Sequence, residues 1–572
     1  MSAIGKPSFF NRFSRRLALL LGGLLAAVWF IWPGMKEARG ADYLPRLNID
    51  LRETTVSGIS SGAFMAVQMG VAHSNSIKGV AATAGGPFFC AGEDSWNGAA
   101  VEKVIARCMQ GDPQFPAMPI TENELASMRE ATKQWAAEGL VDPLESLARQ
   151  KVWIFHGYND GIVKAPVSEA LRDYYRQFLP AHQVFYKHEL PAAHAQISAA
   201  CVADKKKGAS CNTCSVTGSP FINTCAVGKT PYDAAGSALQ FFYGPLRRVA
   251  SHQLQGEILT FSQARYTLRD GEEIEPGKIS LAEEGYLYLP RACKEGKACR
   301  LHIAFHGCQQ YAAKIGLDFV KSAGFNEWAE QNRLVVLFPQ AASSFFSPAN
   351  PNGCWDWWGY NDTGDKQAGN YLTQQGLQTA AIWRMAQALA SAASLEIDAV
   401  EDFVPGGAQQ AVDSENEAQT AEATEATDKT GTPAPAREPA KKQRFVPSLV
   451  PPLVTLLDAS SDQILLAWKP VEGAAAYRVY RLQPAAEKGG KSSFALISPE
   501  DFADTAYVDS GLEAERSYRY KVTALNAEGK ETAGQPLTFR TRAREPECDP
   551  YFSMLGGRVV DKNGQPTDRV CR

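Results

Sequence analysis

The feature that most constrains this chain of 572 residues is a serine, Ser60, in the glycine-rich turn from Gly58 to Gly62. The residues before the turn, Glu53 to Ser57, are typical of a short strand, and those after it, Ala63 to Met69, are typical of a helix. A G-x-S-x-G sequence between a strand and a helix is the pattern of a nucleophile elbow. The pattern alone also occurs in ordinary Gly/Ser-rich turns, but the flanking segments favour the elbow. We therefore predict an α/β fold with Ser60 as the nucleophile.

A serine nucleophile requires a general base, and the base requires a carboxylate that orients it. Lys151 to Phe155 is a strand-like run, and Asp160 lies in the loop beyond its end. A further strand-like run follows, and His194 lies in the loop after that run. The order Ser, Asp, His along the chain is typical of α/β-hydrolases. We therefore predict a triad of Ser60, Asp160 and His194, with Asp233 as the reserve acid.

The positions of the candidate oxyanion-hole donors along the sequence indicate an unusual order of structural elements. One donor should be the amide of Ser61, the residue after the nucleophile. The second donor usually comes from a loop earlier in the chain, but no segment before Ser60 fits that role. The matching strand-like run, Cys299 to Phe305, lies far downstream and leads into the loop from His306 to Gln310. We therefore expect a circularly permuted α/β-hydrolase domain.

These motifs resemble those of secreted poly(3-hydroxybutyrate) depolymerases, in which the serine motif lies near the mature N-terminus and the hydrolase fold is permuted. The stretches that carry the resemblance are Ser57 to Ala72, Pro231 to Gly244, Gly285 to Gln310 and Asn350 to Tyr360. The resemblance implies the same triad and places the second oxyanion amide on Cys308. It also implies that a tryptophan contacts the polyester near the scissile bond, for which Trp355 and Trp357 are the candidates.

The resemblance implies an extracellular serine esterase that hydrolyses poly(3-hydroxybutyrate)-type polyesters through an acyl-enzyme. Such chemistry requires neither a metal nor another cofactor. One alternative is a secreted carboxylesterase acting on soluble or plant-wall esters, such as feruloyl or acetyl esters. Another, of a different class, is a surface polymer-binding protein on an inactive hydrolase domain, which a broken triad would mark. The net charge of -4 gives no broad basic field, which argues against nucleic acid as a partner.

The composition divides the chain into modules. Residues 42–395 are predicted to form the hydrolase domain. Residues 396–446 are rich in Ala, Glu, Thr, Asp and Pro and predict a disordered linker. Residues 544–572 form a short tail, which we expect a disulfide between Cys548 and Cys571 to close.

Residues 447–543 show short alternating apolar runs with turn residues between them, which is typical of a β-sandwich. They resemble a fibronectin type III domain, although other seven-stranded sandwiches share this patterning. The residues that carry the resemblance are Trp468, the run from Tyr477 to Tyr480, Leu512, Tyr518 and Tyr520. A carbohydrate or polymer surface is the partner that such a module would contact.

The N-terminus predicts export. Three arginines precede an unbroken apolar run from Leu17 to Trp32, and small residues around Ala41 follow. This layout is typical of a secretory signal peptide, here covering residues 1–41. The alternative is an uncleaved membrane anchor, because the run is close to the minimum length that spans a bilayer. We therefore expect a secreted or periplasmic protein without stable membrane association once the signal is removed.

All 12 cysteines lie after this segment, and an even number of cysteines in an exported chain favours disulfides. Cys293 and Cys299 are separated by a short loop, and we predict that they form one bridge. Cys308 and Cys354 each follow one of two neighbouring strands, and we predict that they form another. A zinc site is the alternative for four further cysteines, because two of these, Cys211 and Cys214, have ligand-like spacing. These four are Cys201, Cys211, Cys214 and Cys225.

Overall fold

The structure is a computed structural model that describes most of the chain after the N-terminal segment. The described residues are 43–92, 101–111, 114–201, 211–269, 271–346, 348–361, 369–390, 449–484, 491–500 and 502–544, with the strands 558–560 and 566–570. The predicted signal peptide and linker lie outside them, and so do Cys548 and Cys571. No helix within these ranges is long and apolar enough to cross a membrane.

The hydrolase domain (residues 43–390) is built on an eight-stranded sheet within the described residues. Its strands are β1 (Thr54–Ile59), β2 (Ile77–Thr83), β3 (Lys151–Phe155), β4 (Val184–Lys187), β5 (Glu257–Ser262), β6 (Glu284–Leu289), β7 (Arg300–Phe305) and β8 (Leu334–Phe338). Their order across the sheet is β5-β6-β8-β7-β1-β2-β3-β4. Strand β6 runs antiparallel to β5 and β8, and the other neighbours are parallel. The parallel strands are buried on both faces, which explains the nearly continuous apolar sequences of β3 and β8.

Strand β1 is the first strand of the described residues and lies in the middle of the sheet. Residues 55–58 pair in parallel with residues 302–305 of β7, as the permuted topology predicts. In the usual order the strand that leads to the oxyanion loop precedes the nucleophile strand. Here it follows that strand, so the predicted circularly permuted α/β-hydrolase fold is confirmed.

Helices cover both faces of this sheet. The longer ones are α1 (Ser61–Ala72), α2 (Glu122–Ala137), α3 (Ala165–Tyr175), α4 (Ala234–Tyr243), α5 (Asn326–Asn332) and α6 (Leu377–Leu389). Shorter helices span Val101–Val104, Leu144–Leu147, Arg291–Lys294, Ala312–Ile315 and Asp318–Ser322. Helices α1, α2, α3 and α6 pack on one face, and α4 and α5 pack on the other. Every residue of α1 is buried, which explains why this helix lacks a polar side.

The β-sandwich module (residues 449–544) contains two antiparallel sheets, as predicted. Its strands are β9 (Val454–Ala459), β10 (Gln463–Trp468), β11 (Ala476–Gln483), β12 (Ser493–Leu496), β13 (Ala506–Ser510), β14 (Ser517–Leu525), β15 (Glu531–Ala533) and β16 (Leu537–Arg540). One sheet has the order β9-β10-β13, and the other has the order β12-β11-β14-β15 with β16 also paired to β14. Trp468, Val479 and Val522 are fully buried between the two sheets. In the tail, Arg558–Val560 and Pro566–Val570 form an antiparallel pair.

Five disulfides join cysteines of the described part of the chain. They are Cys90–Cys108, Cys201–Cys211, Cys214–Cys225, Cys293–Cys299 and Cys308–Cys354. Both predicted bridges, the fourth and the fifth, are present. The four cysteines of the zinc alternative form the second and third bridges, so their sulfurs are bonded to one another and are not thiolate ligands.

Candidate active site

Ser60 lies between β1 and α1 in a backbone conformation that residues with a side chain rarely adopt. Its φ is 56° and its ψ is -124°. A Cβ on Gly58 would clash with the carbonyl oxygen of Gly62, and a Cβ on Gly62 would clash with that of His306. The turn therefore requires both glycines, and it brings the start of α1 against the loop that follows β7.

Asp160 and His194 lie in the loops after β3 and β4, and both side chains are buried. Nδ1 of His194 lies 2.8 Å from Oδ2 of Asp160. The other carboxylate oxygen accepts hydrogen bonds from the backbone N–H groups of Ile162, at 2.9 Å, and Val163, at 3.1 Å. Burial acts to raise the pKa of Asp160, but the neighbouring His194 and these hydrogen bonds outweigh it and hold that pKa below its ordinary value. Because Nδ1 faces an ionised carboxylate, Nε2 is the ring nitrogen left for a second partner.

The disulfide-rich segment after β4 supports the loop that carries His194. The backbone N–H of His194 donates to Oγ1 of Thr217 at 3.2 Å, and that of Ala193 donates to the carbonyl oxygen of Cys214 at 2.9 Å. Cys214 is bonded to Cys225, which fixes the supporting segment. The sequence indicated this segment only as a cluster of cysteines, and its contact with the histidine loop was not predicted.

Ser60 and His194 line one cavity of about 710 Å³. Its walls are mostly apolar and include Phe64, Ile162, Val163, Phe221, Trp357 and Trp358. Asp160 is not part of the wall and lies behind His194. A concave apolar site with a few polar groups at one end is the usual form of a binding site for a largely apolar molecule.

The loop after β7 also reaches this cavity, through Gly307 and Cys308. A Cβ on Gly307 would lie 3.5 Å from the Cβ of Ser60, so the two loops are in close contact. The N–H of Gly307 donates to Oε1 of Gln310 at 2.6 Å, which leaves the amide of Cys308 as the next donor in the loop. Ser61 begins α1, where the first-turn N–H groups have no acceptor within the helix. Ser61 and Cys308 both line the cavity that Ser60 lines.

His306 fixes the conformation of this loop. Its Nδ1 donates to the carbonyl oxygen of Gly307 at 2.7 Å, and its Nε2 accepts from the backbone N–H of Ala341 at 3.0 Å. Burial lowers the pKa of His306 to about 4, so the ring is neutral at pH 7. Both ring nitrogens are engaged in the loop, and His306 is therefore not the base.

The two predicted substrate-binding tryptophans have different environments. Trp357 lines the cavity and stacks on Phe64 with a centroid distance of 4.3 Å. Trp355 is fully buried, and its indole N–H donates to the carbonyl oxygen of His306 at 2.9 Å. The structure therefore does not place Trp355 where a substrate can touch it. Trp358, which we did not predict, lines the cavity beside Trp357.

The reserve acid, Asp233, is not next to His194. It caps α4 by accepting from the N–H of Gly236 at 2.8 Å, and it also accepts from the indole N–H of Trp328 at 3.0 Å. Burial raises the pKa of Asp233. These contacts give Asp233 a structural role.

In the described ranges, no group of three or more His, Cys, Asp or Glu side chains is arranged to hold a metal ion.

The fold and these side chains define a serine hydrolase of carboxylic esters. The chain belongs to the poly(3-hydroxybutyrate) depolymerase family. It is 33% identical to the poly(3-hydroxybutyrate) depolymerase of Delftia acidovorans over 504 residues, which cover 87% of this chain and 81% of that protein. It is 31% identical to the polyhydroxybutyrate depolymerase of Talaromyces funiculosus over 364 residues, which cover 62% of this chain and 94% of that protein.

Two further comparisons concern parts of the chain. A crystal structure of the PHB depolymerase from Penicillium funiculosum is 29% identical and covers 62% of this chain and 99% of its own, with a TM-score of 0.49. Residues 450–540 match the family model of the fibronectin type III domain. The predicted fibronectin-like nature of the β-sandwich module is thus confirmed.

Proposed function

We propose that this protein is an extracellular depolymerase of poly(3-hydroxybutyrate)-type polyesters and that Ser60, His194 and Asp160 are its triad. The observation that carries the proposal is the 2.8 Å contact between His194 and Asp160, with His194 and Ser60 on the wall of one cavity. Ser60 attacks the ester carbonyl while Nε2 of His194 takes its proton. The ester C–O bond then breaks, and the proton passes to the leaving alkoxide oxygen, which departs as an alcohol. Water hydrolyses the acyl-enzyme by the same proton transfers in reverse.

The proposed oxyanion hole consists of the amides of Ser61 and Cys308. Negative charge develops on the carbonyl oxygen during the attack, and two preorganised N–H donors stabilise it. The contact between the Gly307 loop and Ser60 supports this assignment. Asp160 holds the Nδ1–H of His194 and stabilises the imidazolium that forms.

A water-insoluble polyester fits the surroundings of this cavity better than a small soluble ester. Ile162 lies on the cavity wall, and Val216 precedes Thr217, which also lines the cavity; Ile162 and Val216 are each 39% exposed. Phe345 and Phe346 are strongly exposed on a hairpin that a bridge between Ser344 and Asn350 closes, and Asn350 also lines the cavity. Exposed apolar residues around a cleft are typical of a site that binds an apolar surface.

We further propose the division of the chain given by its sequence. Residues 1–41 are the signal peptide, 42–395 the catalytic domain, 396–446 the linker, 447–543 the fibronectin type III module and 544–572 a short tail. The five disulfides of the described residues support an oxidising compartment and hence export.

The test compares the purified protein with Ser60→Ala on two substrates, poly(3-hydroxybutyrate) granules and p-nitrophenyl butyrate. The wild-type protein should release soluble acid from the granules and hydrolyse the small ester, and Ser60→Ala should lose both activities by roughly 10⁴-fold or more. Its melting temperature should be unchanged. Hydrolysis of the small ester alone would favour a soluble carboxylesterase, and granule binding without hydrolysis by wild type would favour a polymer-binding protein.

A further inference from the structure

Strand β10 of the β-sandwich module is apolar on both faces. Ile464, Leu466 and Trp468 point into the core of the module. Leu465 and Ala467 alternate with them and therefore point outward, yet both are fully buried. The outer face of an isolated sandwich usually carries polar side chains, because that face meets water. The outer face of the sheet β9-β10-β13 is therefore covered by another part of the protein.

The hydrolase domain supplies that cover. Leu465 and its neighbour on β13, Val508, belong to one apolar cluster with aromatic residues of the hydrolase sheet and of α4. The aromatic members include Trp153, Phe155, Phe185 and Phe241, all of them buried. Helices α4 and α5 cover the middle of this face of the hydrolase sheet, and the module covers the part over β3 and β4 that they leave. The contact thus resembles a domain core more than a surface contact between mobile domains.

The module also covers the open edge of the hydrolase sheet at β4. The side-chain amide of Gln463 accepts from the backbone N–H of Tyr186 at 2.8 Å and donates to the carbonyl oxygen of Val184 at 3.0 Å. These are the hydrogen bonds that a ninth strand would make. Edge strands with unpaired backbone groups promote aggregation, and proteins commonly cover them.

Buried charges at the end of β4 are paired across the two domains. Lys187 is 1% exposed, and its Nζ donates to the carbonyl oxygen of Ala459 at 2.5 Å. The same Nζ lies 3.2 Å from Oε2 of Glu189 and 3.6 Å from Oδ1 of Asp458. Oδ2 of Asp458 in turn accepts from the hydroxyl of Tyr232 at 2.5 Å. Buried charges require partners, and here each domain provides partners for the other.

From these contacts we infer that the fibronectin type III module is a fixed intramolecular partner of the hydrolase domain. It completes the second covering layer of the hydrolase sheet and does not move independently on the linker. The backbone N–H of Ser461 donates to Glu189, in the segment that leads from β4 to His194. The docked module therefore also positions the segment that carries His194. This part of the inference rests on the proposed function, in which His194 is the general base.

The first experiment uses the full chain with a site-specific protease sequence inserted between residues 396 and 446. After cleavage, the two pieces should elute together in gel filtration at micromolar concentration and separate only in denaturant. Two pieces that elute separately would overturn the inference. This measurement needs no substitution in the interface, so a variant that misfolds cannot obscure it.

The second experiment compares two variants of the cleavable chain. Leu465→Glu places a carboxylate among apolar residues of the interface and should release the module. Leu537→Glu is the matched control, because Leu537 lies on β16 in the other sheet and is 36% exposed. Its two pieces should stay together. Association of the Leu465→Glu pieces as tight as in the control would also contradict the inference.

The role of the module in positioning His194 has its own measurement. Release of the module by Leu465→Glu should lower kcat for p-nitrophenyl butyrate by roughly tenfold with little change in KM, because misplacement of a catalytic group slows chemistry. An unchanged kcat would refute this role. Since the elution of the wild-type pieces does not depend on catalysis, a wrong assignment of His194 would leave the first result intact.

Discussion

At the scale of single residues, the hydrogen bond between Asp160 and His194 makes the most direct prediction. Asp160→Asn replaces an acceptor of the Nδ1–H with an amide that favours the wrong tautomer of the histidine. We expect kcat for p-nitrophenyl butyrate to fall by a factor on the order of 10⁴. Asp233→Asn is the control and should keep its turnover, since Asp233 caps α4 away from His194. A mild effect of Asp160→Asn would contradict the proposed triad.

Substitutions of two tryptophans in the loop after residue 353 should have different effects, one on substrate binding and the other on the stability of the fold. Trp357→Ala removes a wall of the cavity and should raise KM for apolar esters while the protein remains folded. Trp355→Ala removes a fully buried side chain and should lower the free energy of unfolding by about 3–5 kcal/mol. Steady-state kinetics and urea unfolding of both variants test this difference. Equal effects of the two substitutions on KM would show that the division is wrong.

At the scale of elements, we expect the disulfide between Cys308 and Cys354 to hold the proposed oxyanion loop in place. The double variant Cys308→Ser/Cys354→Ser keeps the amide of residue 308 but loosens its position. We expect kcat to fall roughly tenfold to a hundredfold with a smaller change in KM, because one oxyanion donor contributes about that much or more. The measurement is the kcat of the purified, folded variant.

The matched control is the other predicted bridge, between Cys293 and Cys299, at the opposite end of β7 from the oxyanion loop. Cys293→Ser/Cys299→Ser should reduce stability without a comparable loss of kcat. If both double variants lose the same activity, the effect comes from general destabilisation and not from the loop.

The sequence predicts the pairing of β1 with β7 because both strands end in motifs whose loops must reach the same carbonyl group. It does not predict which tryptophan faces the cavity, because Trp355, Trp357 and Trp358 lie in an irregular loop without periodicity. The docking of the module was also not predicted. The sequence does contain an indication of this docking, however, because Leu465 and Ala467 occupy the outward positions of β10, where polar residues are expected.

At the scale of the whole molecule, buried neutral histidines make stability depend on pH. Burial lowers the pKa of His73 and His302 to about 3 and that of His306 to about 4. Their ordinary pKa is about 6.5, so below that pH the unfolded chain binds protons that the folded protein does not. The free energy of unfolding should therefore be highest above about pH 6.5 and fall towards pH 4, by about 1.4 kcal/mol per pH unit for each histidine.

Urea unfolding at several pH values measures this slope. His302→Gln should reduce the slope by about the share of one histidine, because the ring of His302 is bound between the hydroxyls of Thr55 and Ser57 and stays neutral. His252→Gln, a substitution of an exposed histidine, is the control variant. A stability that is flat between about pH 6.5 and pH 4 would contradict the prediction.

The permuted order of strands has a consequence for biosynthesis. Thr55 on β1 and its partner His302 on β7 are separated by 247 positions in the chain. A nascent polypeptide that has emerged only as far as His194 already contains all three proposed triad residues, but it lacks the neighbouring strand and the amide of Cys308. Such a chain lacks one of the two proposed oxyanion donors, because the strand that leads to Cys308 pairs with β1 only after the later segment is available. If the proposed oxyanion hole is right, we expect full ester hydrolysis only from chains that have been synthesised beyond Cys308.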